Sequence, residues 1–93
     1  MIRSIKHKGL SEFYLTGRLK GIQAHHAARL RILLTALDAA KEIKDLNVPA
    51  WNLHILKGNL KGHWSLTVNG NWRITFIFVD EDVYLVDYQD YHL

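Results

Sequence analysis

Two runs of alternating apolar residues in the last third of the chain constrain the fold more than any other feature. The first run contains Trp64, Leu66 and Val68, with a polar residue between each pair. The second run contains Trp72, Ile74, Phe76 and Phe78. Alternation with a period of two is typical of strands that bury one face, and the intervening Asn69-Gly70-Asn71 segment is a strong hairpin signal. The pattern therefore predicts an antiparallel β-hairpin.

The length of the hairpin loop decides whether the two apolar sets share a face. A two-residue loop, Asn69-Gly70, would place the two sets on opposite faces. A three-residue loop gives the pairs Val68–Trp72, Leu66–Ile74 and Trp64–Phe76. Because a single buried face requires the two sets to coincide, we predict the second register. Arg73 and Thr75 then lie on the other face.

The residues before the hairpin favour helices, with one short strand at the start. Alternation in residues 2–6 predicts a short strand, and residues 9–17 predict a short helix. Residues 24–44 have apolar side chains at helical spacing, which indicates an amphipathic helix that ends before Pro49. Residues 51–63 are predicted to form a loop or a short strand.

A second turn, Asp80-Glu81-Asp82, leads into a last strand over residues 83–88. The register of this strand stays open, because both of its faces are partly apolar. The predicted order is β-α-α-β-β-β, with helices and strands segregated along the chain. We therefore expect one α+β domain over residues 1–93, with two N-terminal helices packed on a mostly antiparallel sheet.

Charge is distributed unevenly along the 93 residues, whose net charge is +3. Residues 1–64 hold eleven Lys/Arg and four Asp/Glu, whereas residues 65–93 hold one and five. The basic part is a plausible footprint for a polyanion, and the alternative is a solvated helix surface. The chain has no cysteine, no secretory signal at its start and no apolar run that could span a membrane, so we expect a cytoplasmic protein.

Motifs that bind nucleotides or catalytic metals are missing from the sequence. It contains no GxxxxGK(S/T) or GxGxxG loop and no HExxH pair. Its six histidines do not have the spacing of metal ligands. We therefore expect neither a metal nor another cofactor.

Chemically active side chains nevertheless occur in three places. They are His54 with Lys57, Asn71 with Arg73, and the terminal residues Asp90, Tyr91 and His92. Each has a structural explanation of its own: Arg73 as the partner of a carboxylate such as Asp87 or Asp90, Asn71 as a turn residue, Tyr91 as a packing residue. Together they supply what RNA cleavage without a metal needs. A His or a carboxylate can move protons near neutral pH, and Lys and Arg stabilise the negative charge of the transition state.

The chain resembles the HigB-type toxins of the RelE/ParE superfamily, the toxin half of bacterial type II toxin–antitoxin pairs. The resemblance covers nearly the whole chain and is most specific in the Asn-Trp-Arg-Ile-Thr-Phe strand and the Asp-Tyr-His ending. The matching segments are residues 2–10, 37–40, 53–58, 62–68, 71–76 and 90–92. It implies nothing about residues 17–23.

This resemblance implies a ribosome-dependent endoribonuclease that cuts mRNA in the decoding site of the 70S ribosome. It also implies neutralisation by a helix-turn-helix antitoxin of the HigA type in a toxin–antitoxin hetero-oligomer. In the implied site, His92 and Asp90 transfer protons, and Arg73 and Lys57 hold the phosphate. The nucleotide is positioned by Tyr91 and His54, and Asn71 also lines the site.

Two other functions remain open from the sequence. A non-enzymatic inhibitor of DNA gyrase, like the ParE branch of the superfamily, would not need the His54, Lys57, Arg73 and His92 set. A plain RNA-binding module would expose aromatic side chains on an open sheet face, whereas the pattern assigns most of them to the core.

Overall fold

The computed structural model describes residues 1–91, and this part of the chain has two α-helices. Helix α1, Lys8–Thr16, begins at His7, whose Nδ1 accepts a backbone N–H of the first turn. It ends at Gly17, which has a φ of 79°. Helix α2 is Ala27–Ala39. No helix within residues 1–91 is long and apolar enough to cross a bilayer.

The helix predicted over residues 24–44 is shorter than expected at both ends. Ala24–His26 form a 3₁₀ turn that leads into α2. After α2, the Asp45 carboxylate accepts the backbone N–H groups of Lys41 and Glu42, at 2.9 and 3.0 Å, within a separate turn. Such a side chain offers the backbone an alternative to further helical bonds, so α2 does not extend into this segment.

Four strands form an antiparallel sheet in the order β1-β2-β3-β4 within the described chain. Their bounds are β1 His54–Ile55, β2 Trp64–Asn69, β3 Trp72–Val79 and β4 Asp82–Asp90. The segment predicted as the first strand makes two isolated parallel bridges to β4, at Ile2–Val83 and Ile5–Val86. The α+β class and the mostly antiparallel sheet are confirmed.

A β-bulge in β2 changes one pair of the predicted hairpin register. The pairs Leu66–Ile74 and Trp64–Phe76 are confirmed. The pair Val68–Trp72 is wrong, because Asn69 lies opposite Trp72 and the register shifts between Thr67 and Asn69. The extra residue allows a tight turn, with Gly70 at a φ of 57°, while both apolar sets still face the core.

A second bulge resolves the register of β4. Thr75 lies opposite Asp87, but Ile77 lies opposite Tyr84, so β4 contains an extra residue between these pairs. Leu85 in this bulge has a φ of 56°, and its N–H donates to the Ser4 hydroxyl at 2.8 Å. The bulge shifts the alternation by one residue, which explains why both faces of the segment are partly apolar.

The core lies between the two helices and one face of the sheet. It is formed by apolar residues of α1, α2 and all three long strands: Leu10, Phe13, Leu30, Leu33, Leu37, Leu66, Ile74, Phe76, Val83 and Val86. Asp38 ties the N-terminus to this core, because its carboxylate accepts the N–H of Ile2 at 2.8 Å and the hydroxyl of Tyr14 at 2.6 Å. The Asp38 bond and burial raise the pKa of Tyr14 to about 12.

His26 is a buried polar residue in the core, next to the C-terminal part of β4. Its Nδ1 lies 2.6 Å from the Tyr88 hydroxyl oxygen, which also accepts the N–H of Gln23 at 3.3 Å. The His26 ring meets the Trp72 ring edge to face, with centroids 5.6 Å apart. Burial lowers the pKa of His26, and the neighbouring His25 lowers it further.

We expect the protein to lose stability as the pH falls below about 6.5, because the unfolded chain then protonates His26 more readily than the folded chain does. The slope from this residue is at most about 1.4 kcal/mol per pH unit, and it vanishes above neutral pH. Urea unfolding from about pH 5 to about pH 8, the range in which histidine titrates, measures it. We expect His26→Gln to flatten the dependence of stability on pH. His25→Gln, which changes an exposed neighbour, retains most of this dependence. An identical slope in His26→Gln would contradict this origin.

Candidate active site

The predicted site residues of the C-terminal part meet at one end of the sheet. The β2–β3 turn and the end of β4 lie side by side there, since Trp72 pairs with Asp90. The N–H of Tyr91 donates to the carbonyl of Asn71 at 2.8 Å, which continues the pairing past the end of β4. We call this region the hairpin end; its residues are Asn71, Trp72, Arg73, Asp90 and Tyr91.

Arg73 is held at the hairpin end with its charge unneutralised by the described residues. Only 8% of the residue is exposed. One guanidinium nitrogen, Nη1, donates to the carbonyl of Gly70 at 2.6 Å, and Nε is buried without a hydrogen-bond partner. None of the ion pairs found within residues 1–91 involves Arg73. The explanation of Arg73 as the structural partner of Asp87 therefore fails.

The sheet face that carries Arg73 is polar and turned away from the helices. Directly paired residues share a face, and two such rows cross the sheet. We call this surface the polar face. Its members are His54, Ser65, Thr75 and Asp87 in one row, and Thr67, Arg73 and Gln89 in the other. The rows are two residues apart along the strands, about 7 Å.

His54 presents a free ring nitrogen to this face. Its Nδ1 lies 2.9 Å from the carbonyl of Asn52. Because a carbonyl only accepts, Nδ1 must carry the hydrogen, and in the neutral ring Nε2 is then the proton acceptor. Nε2 is buried and has no partner in the described chain. The local fold thus selects the tautomer in which His54 can take up a proton or accept a hydrogen bond.

Unsatisfied buried polar atoms are concentrated on the polar face. Buried polar groups normally have partners, and only a few per protein do not. Within residues 1–91 the side-chain atoms without one are His54 Nε2, His63 Nδ1, Ser65 Oγ, Thr67 Oγ1 and Arg73 Nε. Four of the five belong to the two rows of the polar face. This concentration distinguishes the polar face from an ordinary solvated strand face.

Ser65 and Thr67 were missed by the sequence interpretation. They alternate with the apolar residues of β2, so the same period that predicts the buried face also predicts a polar row opposite it. Gln89 was missed as well; its amide nitrogen donates to the Thr75 hydroxyl at 2.9 Å and links the two rows. The residue types alone did not indicate a site, because Ser and Thr are common on solvated strand faces.

The structure does not bring the remaining predicted site residues together in one place. Lys57 is exposed and lies beyond β1, at the opposite end of the sheet from Arg73, because β1 runs antiparallel to β2. Asn71 is exposed in the turn, where its backbone contacts Tyr91. His92 lies outside the described residues. Within residues 1–91 no three His, Cys, Asp or Glu side chains are grouped so that they could hold a metal ion.

Two proteins with known names are similar in sequence to nearly the whole chain. The chain is 47% identical over 92 residues to the protein named Endoribonuclease HigB of Proteus vulgaris, covering 99% of this chain and all of that protein. It is 38% identical over 94 residues to Toxin HigB-1 of Vibrio cholerae, covering 99% of this chain and 98% of the relative.

Solved structures with the same fold have much lower sequence identity. A chain of the YoeB–YefM complex from Staphylococcus aureus matches with a TM-score of 0.64 and 16% identity, covering 100% of this chain and 97% of that one. YafQ from E. coli matches with a TM-score of 0.55 and 14% identity, over 95% of this chain and 89% of that one. The profile of the HigB-like toxins, described as the RelE-like toxin of the type II toxin–antitoxin system HigB, matches residues 3–92. The chain therefore belongs to the HigB-like family of type II toxins.

Proposed function

We propose that this toxin is a ribosome-dependent endoribonuclease that cuts mRNA in the decoding site and so stops translation. The observation that carries the proposal is Arg73, a buried guanidinium without an ion pair among the described residues, which lies in a row of unsatisfied polar atoms. A phosphodiester brings the negative charge and the acceptor that the Arg73 guanidinium lacks. The relative that is 47% identical is named an endoribonuclease, which supports the same activity here.

The reaction requires one proton to leave the 2′-OH and one to reach the 5′-oxygen. Attack of the 2′-oxygen on phosphorus then forms the new P–O bond while the bond to the 5′-oxygen breaks. In our proposal His92 and Asp90 transfer these two protons, and the free Nε2 of His54 accepts a hydrogen bond from the nucleotide that it positions. Arg73 stabilises the charge that develops on the phosphoryl oxygens.

The other residues of the proposed site bind the substrate on either side of this centre. Tyr91 stacks on a base or orients the phosphate, and Asn71 binds RNA at the turn. Lys57, beyond the far end of β1, holds another phosphate of the strand at the other end of the polar face. An RNA strand that contacts Arg73 and His54 must lie along the polar face. Asp90 pairs with Trp72 and therefore shares the opposite face, so the strand reaches Asp90 around the hairpin end.

The partners follow from the same proposal. We infer a helix-turn-helix antitoxin of the HigA type, which forms a hetero-oligomer with the toxin and neutralises it in the cytoplasm. One solved structure with this fold belongs to a complex of YoeB with YefM, and this supports an antitoxin partner. The 70S ribosome supplies the positioned mRNA.

The test compares mRNA alone with mRNA on programmed 70S ribosomes, with cleavage mapped by primer extension. We expect cuts only on ribosomes and only at the decoding site. A parallel supercoiling assay with DNA gyrase tests the ParE-like alternative. Intact mRNA on ribosomes together with inhibited gyrase would show that the protein inhibits gyrase and is not an endonuclease. Cuts in free mRNA would show that cleavage does not depend on the ribosome.

A further inference from the structure

The loop over residues 17–23 is fixed against the first turn of α1 by two glycines. A Cβ on Gly9 would lie closer to the backbone of Gly21 than real Cβ contacts allow, and a Cβ on Gly21 would collide with Gly9 in the same way. The two backbones therefore touch directly, which only glycine permits at both positions. The loop crosses the start of α1 at this point.

Hydrogen bonds hold the same loop at both ends. At its start, the N–H of Gly17 donates to the carbonyl of Phe13 at 2.8 Å. Inside it, the N–H of Ile22 donates to the carbonyl of Leu19 at 3.2 Å. At its end, the N–H of Gln23 donates to the hydroxyl of the buried Tyr88 at 3.3 Å. Side chains on this loop therefore project from a backbone whose position is set before any ligand binds.

A basic cleft lies between this loop and α1. It has a volume of about 480 Å³ and is lined by Lys8, Gly9, Glu12, Arg18, Lys20 and Gly21. We call it the basic cleft. It carries three cations and one carboxylate, and no ion pair found within residues 1–91 involves any of the three cations.

Some other cations of the chain have carboxylate partners elsewhere on the surface. Arg3 pairs with Asp82 at 3.0 Å, and Lys41 pairs with Glu81 at 3.2 Å. These pairs lie around the β3–β4 turn, where the acidic residues of the last third are concentrated. The basic cleft has a local excess of positive charge, because three cations lie around one carboxylate in it.

A groove connects the basic cleft to the hairpin end. It is lined by His7, Lys20, Gly21, Ile22, Gln23, Trp72 and Tyr88, so it shares Lys20 and Gly21 with the cleft. Its other end is Trp72, which pairs with Asp90 and directly precedes Arg73.

We propose that the basic cleft binds the phosphodiester backbone of RNA at a distance from the cut, as a second RNA contact of this toxin. The inference rests on the proposed function and extends it to Lys8, Arg18 and Lys20. The bound backbone belongs either to the mRNA strand that continues past the cut or to ribosomal RNA beside it. Both present the same chemistry to the cleft, and two binding measurements distinguish them.

The test uses the full chain with Lys8, Arg18 and Lys20 all replaced by Gln. Its probes are a labelled 2′-O-methyl oligonucleotide, which cannot be cut through its 2′-oxygen, and vacant 70S ribosomes. We expect the triple variant to bind at least one of them about tenfold more weakly at physiological salt. The dependence of log K on log salt becomes shallower by about 2, because three phosphate contacts are lost.

Two further variants control for charge and for folding. Lys41→Gln with Lys44→Gln removes two cations that have carboxylate partners, at 3.2 and 3.4 Å, and we expect binding within about twofold of the unchanged chain. Lys8→Arg with Arg18→Lys and Lys20→Arg keeps the three charges, and it retains binding.

The outcomes separate the sources and the two proposals. Loss confined to the oligonucleotide identifies the mRNA strand, and loss confined to vacant ribosomes identifies ribosomal RNA. Unchanged affinity and salt dependence for both probes in a folded triple variant would overturn the basic cleft as an RNA contact. These binding results do not depend on cleavage, so a toxin that binds both probes but cuts nothing would refute the nuclease alone.

Discussion

Replacing Arg73 with Ala is expected to lower the rate of mRNA cleavage on ribosomes by about 10²–10³, the usual effect of removing one preorganised group that stabilises transition-state charge. The side chain is held in place before substrate binds, because Nη1 donates to the Gly70 carbonyl and the residue is almost fully buried. In the proposed site its charge would therefore act on the phosphoryl oxygens with little reorganisation. The measurement is the initial rate of cleavage by primer extension at saturating ribosomes.

Two variants separate this role from a general loss of charge or structure. Arg73→Lys keeps the charge but not the planar fork of donors, so we expect a rate between those of Arg73→Ala and the unchanged toxin. Arg3→Ala removes an exposed arginine whose partner is Asp82, at the other end of the sheet, and it leaves the rate within about twofold. Cleavage by Arg73→Ala at the unchanged rate would exclude Arg73 from the site even if the toxin still acts on ribosomes.

The central hairpin was predictable because one physical requirement decided it. Only one register lets Leu66 face the same side as Ile74, and a strand with one buried face cannot slip by a residue without exposing its whole apolar set. The same requirement placed Arg73 on the opposite face. The fold class followed from the segregation of helices and strands, since such chains pack helices on one face of an antiparallel sheet.

The bulge in β4 could not be predicted, because its determinants lie outside the strand that contains it. The bulge at Leu85 accompanies hydrogen bonds from β4 to Ser4, a residue about eighty positions away in the chain. The end of α2 depends in the same way on the Asp45 side chain, whose local bonds compete with further helix. Apolar spacing contains no information about either contact.

The sequence indicated Arg73 as a candidate site residue but not the neutral residues beside it. Arg73 is the only cation in the last third of the sequence, and this made it conspicuous. Ser65 and Thr67 become informative only when their hydroxyl oxygens are seen to be buried without partners in the described chain. The tautomer of His54 likewise depends on the Asn52 carbonyl, which no residue pattern indicates.

Replacing His54 with Ala is expected to lower the cleavage rate about hundredfold, the second large effect. The substitution removes the ring nitrogen Nε2, which has no partner in the described chain. The two possible roles of His54 predict different cleavage rates for His54→Gln. If His54 only positions the nucleotide, Gln in its place can still offer a hydrogen bond and restores most of the rate. If Nε2 also accepts the proton, His54→Gln remains as slow as His54→Ala, because an amide is not a base at neutral pH.

The matched control for His54 is His25→Gln, which removes an exposed histidine on the helical side of the molecule and leaves the rate unchanged. Initial rates on programmed ribosomes at neutral pH compare the four proteins. Because the Asn52 carbonyl holds Nδ1 in its protonated form, the proton-accepting role requires that His54→Gln fail while the fold and ribosome binding persist. Full activity of His54→Ala would instead assign proton transfer to the terminal residues Asp90 and His92 alone.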